Sequence, residues 1–228
     1  MKKTVLVVDI GGTHVKLMIS RKETRKFDSG MKLSPKKLVS EIKMAVKDWK
    51  YDAISIGFPS VVKEGRVKKD PKHLAAGWID WDFSKSLGKP TRLLNDAAMQ
   101  ALGSYRGGRM LFLGLGTGLG SALVWEKNLL PLELGDLPYE GMIIEKYLGK
   151  VGFDRLGKKK WKRHVLFCVQ QLKLSFIADY VVVGGGLVKE FDSLPEGMEP
   201  GDNKNVYLGG VRLWDSDSKT RRQNWNIF

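Results

Sequence analysis

Residues 5–20 read VLVVDIGGTHVKLMIS and predict the first folded unit of the chain. The apolar run 5–8 stops at Asp9, passes through Gly-Gly-Thr at 11–13, and resumes as a run rich in β-branched residues at 15–19. This pattern is typical of two strands joined by a tight glycine turn.

The glycine turn has two interpretations on its own. Glycine at 11 and 12 lets backbone N–H groups approach an anion closely, and Thr13 and Lys16 add a hydroxyl donor and a cation. The turn is then a phosphate cradle. An ordinary β-hairpin with a glycine-rich turn fits the same residues, so the choice depends on the rest of the chain.

The pattern occurs a second time. A shift of 105 positions lays residues 7–13 over 112–118, and a shift of 127 lays 52–57 over 179–184, where a Gly-Gly-Gly run at 184–186 follows. The two shifts differ by about 22 residues, which the second half gains between its hairpin and its later strand. Such ordered similarity predicts two related subdomains that face each other, although a chance match between apolar, glycine-rich stretches is the alternative.

Two common nucleotide-binding motifs are disfavoured. Neither hairpin contains G-x-x-x-x-G-K-[ST], and residues 114–120, GLGTGLG, lack the G-x-G-x-x-G spacing. The run 121–125 that follows is typical of a strand instead of a helix. The chain is therefore predicted to be neither a P-loop nor a Rossmann protein.

The remaining patterns predict, in chain order, a helix at 34–50, a strand at 52–57, a loop-rich stretch at 63–87 with three aromatic residues, a strand at 91–96, a helix at 97–105, a turn at 106–109 and a long amphipathic helix at 158–176. The long helix begins with the basic run 158–163. That run fits nucleic-acid binding, but a solvated helix face is the commoner explanation.

Length and composition indicate a folded, soluble protein. The 228 residues suit one large domain or two small ones, and 43% hydrophobic and 28% charged residues are typical of globular chains. The N-terminus is too short and too quickly interrupted for a signal peptide, and no apolar run approaches the roughly 20 residues that span a bilayer. We expect a cytoplasmic protein with no membrane partner.

The cysteine and histidine content and the net charge limit the kinds of site and partner that the chain can have. The single Cys168 and three scattered histidines, His14, His73 and His164, predict no disulfide and no zinc site. The net charge of +14 attracts polyanions without saying which, and surplus lysine can also serve solubility alone.

Asn95 and Asp96 end a predicted strand and are the main candidates for chemistry. A carboxylate there can accept a proton from an alcohol while phosphate-binding loops hold a phosphoryl donor opposite it. Asp96 also fits the N-cap of the following helix. Carboxylates at Glu133, Asp136 and Glu145 can hydrogen-bond a polyhydroxy substrate or can be ordinary surface charges.

Six segments, in this order, resemble the ROK family of sugar kinases. They are DIGGTHVK at 9–16, GFPSVV at 57–62, LNDA at 94–97, GTGLGS at 116–121, ELG at 133–135 and GGG at 184–186. Together they cover most of the chain. The chain is most similar to the polyphosphate glucokinase branch, which also lacks the cysteine-rich zinc motif of the family and carries a similar Lys-Lys-Trp at 159–161.

The resemblance implies an α/β actin-like fold with two RNase H-like lobes and a cleft between them. The N-terminal lobe would comprise residues 1–108 and the C-terminal lobe residues 109–228, with the final segment returning to the first lobe. A homodimer is also expected, and no specific nucleic-acid partner.

The resemblance also assigns roles by position. Asp96 would be the general base toward the 6-hydroxyl of a hexose, and Asp9 would help to place Mg²⁺. The sugar would be held by Asn95, Glu133, Asp136, Glu145, Pro59 and Ser60. Phosphates would be cradled by Asp9, Gly11, Gly12, Thr13, Lys16, Gly116, Thr117 and Gly118. The nucleotide-side loop would be Gly184, Gly185 and Gly186. Polyphosphate, ATP or both would be the donor, since no residue excludes either.

One position departs from the family pattern. The family motif E-x-G-H reads Glu133-Leu134-Gly135-Asp136, so an acceptor-only carboxylate replaces a ring that donates or accepts. Ser60 also stands where relatives often carry glycine. The alternative function is therefore a catalytically weak sugar- or polyanion-binding regulatory protein on the same scaffold.

Overall fold

The computed structural model describes residues 3–216 and 224–228. Residues 1–2 and 217–223, which belong to the expected N-terminal and C-terminal lobes, lie outside the described residues. The strands are β1 Val5–Ile10, β2 His14–Met18, β3 Thr24–Asp28, β4 Ala53–Phe58, β5 Val62–Lys63, β6 Arg66–Val67, β7 Thr91–Asn95, β8 Arg109–Leu115, β9 Leu119–Trp125, β10 Asn128–Leu132, β11 Pro138–Tyr139, β12 Met142–Ile143, β13 Tyr180–Gly184, β14 Met198–Pro200 and β15 Asn226–Ile227. The helices are α1 Pro35–Ala45, α2 Phe83–Leu87, α3 Asp96–Ser104, α4 Glu145–Leu148, α5 Lys150–Ser175 and α6 Asn205–Arg212, with 3-10 turns at Leu134–Asp136 and Val188–Glu190.

Two mixed sheets form the framework, and five strands of the second sheet repeat the topology of the first. The first has the strand order β3-β2-β1-β4-β7, and the second has β14-β13-β8-β9-β10-β15. In each sheet a glycine hairpin supplies the central strand and its antiparallel neighbour, and a later strand pairs with the central strand in parallel. The predicted α/β class and both hairpins are confirmed.

Residues that the two sequence shifts relate occupy equivalent positions in the two sheets. Asp9 of β1 is opposite Gly57 of β4, and Gly114 of β8 is opposite Gly184 of β13. The hairpins themselves differ in one respect. Ile10 pairs with Val15, whereas Leu115 pairs with Leu119, so the second turn is one residue shorter than the first.

Alternating residues of each central strand enter different cores. In β1, Leu6 and Val8 pack in a cluster with Leu38 of α1, while Val5 and Val7 belong to a cluster around α3. In β8 the same alternation sends one set of side chains to α5 and the other to α3. Because both faces of these strands are covered, their sequences are continuous apolar runs. Helices α3 and α6 thus lie between the sheets, and α1 and α5 lie outside.

Helix α3 and helix α6 approach each other through glycine. A Cβ on Gly103 would overlap the carbonyl oxygen of Asn205, and a Cβ on Gly209 would overlap that of Met99. Helix α6 also lies against the first sheet, where the Ser55 hydroxyl donates to the Gly210 carbonyl at 2.6 Å. The division of the chain into lobes at residues 108 and 109 stays a prediction.

Two sequence-based helix boundaries need correction. The helix predicted at 34–50 ends at Ala45. At this end the Arg25 guanidinium donates a hydrogen bond to the Ala45 carbonyl at 2.5 Å and forms an ion pair with Asp48. The long helix α5 starts at Lys150, but Gly157 interrupts it with φ 72°. Its second segment therefore begins at Lys158, as predicted.

The stretch at 63–87 is more ordered than predicted. It contains the hairpin β5–β6 and helix α2, and its aromatic residues enter the core. Trp78 is fully buried, with its ring centroid 5.2 Å from Phe58 and 6.3 Å from Phe83. No helix in the described residues is long and apolar enough to cross a membrane.

Substituting Gly209→Ala is expected to destabilise the fold by about 1–3 kcal/mol, because the added methyl group meets backbone of α3 that cannot move aside. This range is net of the gain of about 1 kcal/mol that alanine brings to a helix interior, because the overlap with a backbone oxygen puts the packing cost at or above the upper end of its usual range. Urea unfolding measures the difference. The control is Gly186→Ala, where a Cβ meets no atom within 4 Å. Equal stability of the two variants would contradict the close packing of α3 and α6.

Candidate active site

Asp9 lies in the middle of the first sheet. It pairs with Lys16 on β2 and with Gly57 on β4, and only 8% of its surface is exposed. Burial raises its pKa, and the Lys16 ammonium, 3.8 Å from the carboxylate, lowers it in part. Because Lys16 offsets the effect of burial only in part, a further positive charge nearby would stabilise the ionised form of Asp9.

Asp96 is the first residue of α3. Its Oδ1 accepts a hydrogen bond from the Ala97 N–H at 2.8 Å, which orients the carboxylate. The interpretation of Asp96 as the N-cap is wrong. Asn95 is the N-cap, because its extended backbone directs its side-chain oxygen to the Ala98 N–H at 3.1 Å.

The two aspartates meet over Gly57. A Cβ at this position would lie 3.4 Å from the Asp96 Cα, 3.7 Å from the Asp9 Oδ1 and 2.5 Å from the Met99 Cε. Burial raises the pKa of Asp96 to about 7, with a further contribution from the negative charge of Asp9. Gly57 of β4 therefore makes room for two carboxylates at the carboxyl ends of β1 and β7, the strands on either side of β4, a role that the sequence patterns did not reveal.

The first glycine turn presents two backbone donors. The Gly11 N–H is used within the turn, donating to the His14 carbonyl at 3.0 Å. Within residues 3–216 and 224–228, no protein group accepts from the N–H of Gly12 or Thr13. Ser29 holds the turn in shape, because its hydroxyl donates to the Gly11 carbonyl at 2.6 Å and its N–H to the Thr13 carbonyl at 3.0 Å.

The second glycine turn repeats this arrangement. The Gly116 N–H donates to the Gly118 carbonyl at 3.1 Å, and the N–H groups of Thr117 and Gly118 have no acceptor in the part of the chain that is described. The Lys150 N–H anchors the turn by donating to the Gly116 carbonyl at 2.8 Å. Each turn thus offers a pair of backbone donors, as an anion-binding concavity requires.

Carboxylates of the second half gather beside the second turn. Glu145 begins α4, and its Oε2 lies 2.5 Å from where a Cβ of Gly118 would be, so a side chain there would displace it. Burial raises the pKa of Glu133, and the charges of Asp136 and Glu145 raise it further, while Lys69 and Lys72 oppose them.

Lys72 was not singled out from the sequence. It belongs to the loop after β6 in the first half, and its Nζ lies 3.9 Å from the Glu145 Oε1 of the second half. Glu133 also contributes to the raised pKa of Asp96. The charge of Glu133 thus acts on Asp96, and the Lys72–Glu145 ion pair joins a loop of the first half to the second half.

Asn95 and Ser60 are joined to each other. The Asn95 Nδ2 donates to the Ser60 carbonyl at 3.3 Å, and the Ser60 hydroxyl donates to the Lys69 carbonyl at 2.8 Å. Since Asn95 also caps α3, both ends of its amide have protein partners. Pro59 lies in the same loop, between β4 and β5.

The Gly184–Gly186 run has a packing role at two of its three positions. A Cβ on Gly184 would lie 2.7 Å from the Phe112 ring, and one on Gly185, which has φ 85°, would overlap the Leu115 carbonyl. Gly186 has no atom within 4 Å of a Cβ. Of the three glycines, only Gly186 has open space where a side chain would be.

The basic run at the start of the second α5 segment is partly used in the fold. Trp161 is fully buried and its Nε1 donates to the Leu148 carbonyl at 2.9 Å. Lys158 and Lys162 form ion pairs with acidic residues at 190 and 192, at 3.5 and 2.9 Å. This run is therefore largely a structural and solvated helix face.

The acidic residues of the candidate site suit Mg²⁺ better than a metal ion whose ligands all come from the protein. The described residues contain no group of three or more His, Cys, Asp or Glu side chains that could hold a metal ion. Mg²⁺ needs only one or two carboxylates, because water and substrate phosphates supply its other ligands. Asp9, a buried carboxylate on the strand that leads into the first glycine turn, could supply one such ligand.

Solved structures with the same fold include sugar kinases and a regulator. The inorganic polyphosphate/ATP-glucomannokinase from Arthrobacter sp. strain KM has a TM-score of 0.77 and 22% identity over 91% of this chain and 96% of its own. A ROK family glucokinase from Streptomyces griseus, solved with glucose and AMPPNP, has a TM-score of 0.73 and 17% identity over 92% and 98%. A ROK family transcriptional regulator, a homologue of the E. coli MLC protein, has a TM-score of 0.70 and 13% identity over 91% and 77%.

These similarities establish the fold, and a sequence match establishes the family. No curated protein sequence matches the chain. The predicted actin-like architecture is confirmed by the structural matches. The sequence model of the ROK family matches residues 5–131, which is more than half of the 228 residues. This chain belongs to the ROK family.

Proposed function

We propose that this protein is a sugar kinase that transfers a phosphoryl group from polyphosphate, ATP or both to the 6-hydroxyl of glucose or a related hexose. The observation that carries the proposal is the pair of buried carboxylates, Asp9 and Asp96, which meet over Gly57. Two pairs of backbone donors and an acidic cluster would complete the site around this pair.

Asp96 would accept the proton of the sugar hydroxyl. Its pKa of about 7 makes it a stronger base than an exposed carboxylate while a large fraction stays ionised at neutral pH. The Ala97 N–H fixes one oxygen and thereby the direction of the carboxylate. Positioning of the hydroxyl against the donor then provides much of the rate gain in a phosphoryl transfer.

The two glycine turns would hold the phosphate chain. Gly12 and Thr13 on one side, and Thr117 and Gly118 on the other, offer N–H groups that no described residue uses. Gly11 and Gly116 close the turns, and Lys16 would add a positive charge. Asp9 would hold Mg²⁺, which supplies positive charge at the oxygens of the transferred group.

The sugar would bind between the acidic cluster and the loop after β4. Glu133 and Glu145 would accept hydrogen bonds from its hydroxyls, and exposed Asp136 would contact it at the rim. Asn95 would act mainly by holding the Pro59–Ser60 loop, since its amide already has two protein partners. For ATP as donor, Gly186 is the position of the Gly184–Gly186 loop that would face the nucleotide, while Gly185 shapes the turn.

A second candidate function is a catalytically weak regulatory protein that binds sugar or polyanions. Asp136 favours it, because a carboxylate replaces the histidine of the family motif beside two other acidic residues. The retained pair Asp9 and Asp96 opposes it. Turnover measured with each donor separates the two candidates.

Asp96→Asn is expected to lower turnover by about 10²- to 10⁴-fold, because an amide cannot accept the hydroxyl proton. Sugar binding should persist, since the substitution keeps the shape of the side chain. A coupled assay for the hexose 6-phosphate and a sugar titration measure the two quantities. Asp192→Asn, which changes an exposed carboxylate of an ion pair, is the control. Unchanged turnover in Asp96→Asn would remove this residue from the mechanism.

The pH dependence of stability tests the burial of Asp96. The pKa of Asp96 is about 7 in the folded protein, against the ordinary value of 3.8 for an aspartate in an unfolded chain. Between these two pH values the folded state binds one more proton than the unfolded state. Raising the pH from 5 to 8 should therefore destabilise the metal-free wild type relative to Asp96→Asn by roughly 2–3 kcal/mol.

Urea unfolding of both proteins in a chelator at pH 5 and at pH 8 measures this change. The neutral amide resembles the protonated acid, so the two proteins should be most alike at pH 5. A stability difference that does not vary with pH would show that Asp96 is not desolvated.

Asp136→His restores the residue of the family motif and is expected to raise sugar affinity or turnover severalfold. It removes one negative charge from the group around Glu133 and adds a ring that can donate to a hydroxyl. Asp136→Asn is the matched control, because it removes the charge without the ring. Glucose titrations that do not differ among the three proteins would exclude this position from sugar recognition.

A further inference from the structure

A cavity lies at the opposite end of the first sheet from the candidate active site. Its volume is about 430 Å³, and its walls include Thr4, Asp52 and Lys89, which precede β1, β4 and β7. The candidate site lies at the other ends of these strands, at Asp9 and Asn95. Strands of five or six residues separate the two ends by about 15–20 Å.

Lysine and aromatic side chains dominate this cavity, which we call the lysine cavity. Its principal lining residues are Lys43, Lys47, Lys50, Lys89, Trp49 and Tyr51. The four lysines are exposed, whereas the two aromatic residues are half-buried and form the wall. A volume of this size suits a small ligand instead of an extended macromolecular surface.

The positive charge of the lysine cavity is not balanced by nearby acids. In residues 3–216 and 224–228, none of its four lysines forms an ion pair with a carboxylate. The nearby Asp48 is held by both nitrogens of the Arg25 guanidinium, at 2.5 and 2.7 Å, and its pKa falls to about 2. Asp52, the one acidic residue in the wall, accepts from the Thr4 N–H at 2.8 Å. Four lysines and one carboxylate thus line the cavity.

The helix dipole explains only part of this arrangement. Lys43 lies in the last turn of α1 and Lys47 just beyond it, where positive charge is favourable. Lys50 follows the helix, and Lys89 comes from a different loop, before β7. Convergence of lysines from two separate segments on one cavity is not required by helix stability, and like charges held together favour an anionic ligand.

We propose that the lysine cavity is a second anion-binding site that takes a short segment of a phosphate chain. Lysine ammonium groups bind phosphate oxygens as point charges and tolerate several chain conformations. The inorganic chain of a polyphosphate and the triphosphate of a nucleotide share this chemistry. The Trp49 and Tyr51 rings would exclude water from one side of the chain.

Tripolyphosphate binding, measured by calorimetry without sugar, tests this proposal. One tripolyphosphate is too short to span both sites, so the wild type should show two binding sites. The combined variant Lys47→Gln, Lys50→Gln and Lys89→Gln should lose one site or weaken it by at least about tenfold. These lysines are exposed, so the fold should be retained, and thermal unfolding checks this.

The matched control changes the same number of charges elsewhere. Lys22→Gln, Lys85→Gln and Lys127→Gln remove three exposed lysines that lie outside both sites, and this protein should keep both binding sites. Equal binding by the cavity variant and the wild type would overturn the proposal. An equal loss in the control would also overturn it, because the effect would then be one of net charge.

Further ligands identify the source of the chain. Competition by ATP at the cavity would assign a nucleotide triphosphate, and its absence would assign an inorganic chain. Tight binding of adenosine at the cavity in place of tripolyphosphate would contradict the proposal. The result does not depend on the proposed kinase activity, because binding is measured without transfer.

Discussion

The close packing of α3 on α6 is the constraint on which the candidate site depends. Gly103 and Gly209 let the two helix backbones touch, and α6 is in turn held to the first sheet through Ser55. Helix α3 is thereby fixed between the sheets, with its first residue, Asp96, directed toward Asp9. A carboxylate at a helix N-terminus gains from the dipole, yet burial dominates here, because the pKa of Asp96 is raised to about 7.

Two sheets of one topology face this helix pair, and their differences are as informative as their similarity. Asp9 in the first sheet corresponds to Gly114 in the second, and each is opposite a glycine on the neighbouring strand. The first turn therefore combines backbone donors with a carboxylate on its own strand and with Lys16, whereas the strand before the second turn has glycine in place of that carboxylate. Such an asymmetric pair suits a ligand with a metal-bound end and a plain phosphate end.

Local patterns predicted much of this structure. Both glycine hairpins, the strand that ends at Asn95 and the amphipathic segment after Gly157 were predictable, because each is a run of consecutive residues with one period. The glycine contact of α3 with α6 was not, since it joins residues about 100 positions apart. The burial of Trp78 in an aperiodic loop and the room that Gly57 leaves for two aspartates depend on the same long-range packing. Asp96 was predictable as a candidate base, but its raised pKa arises only from the folded surroundings.

The proposed reaction is phosphoryl transfer to a hexose. The most direct test follows glucose and several related hexoses with Mg²⁺ and either ATP or polyphosphate, using ³¹P nuclear magnetic resonance to identify the product. The wild-type protein is expected to form a hexose 6-phosphate with at least one donor, in a reaction that depends on Mg²⁺. Sugar binding without any sugar phosphate, with either donor and across the hexoses, would contradict it.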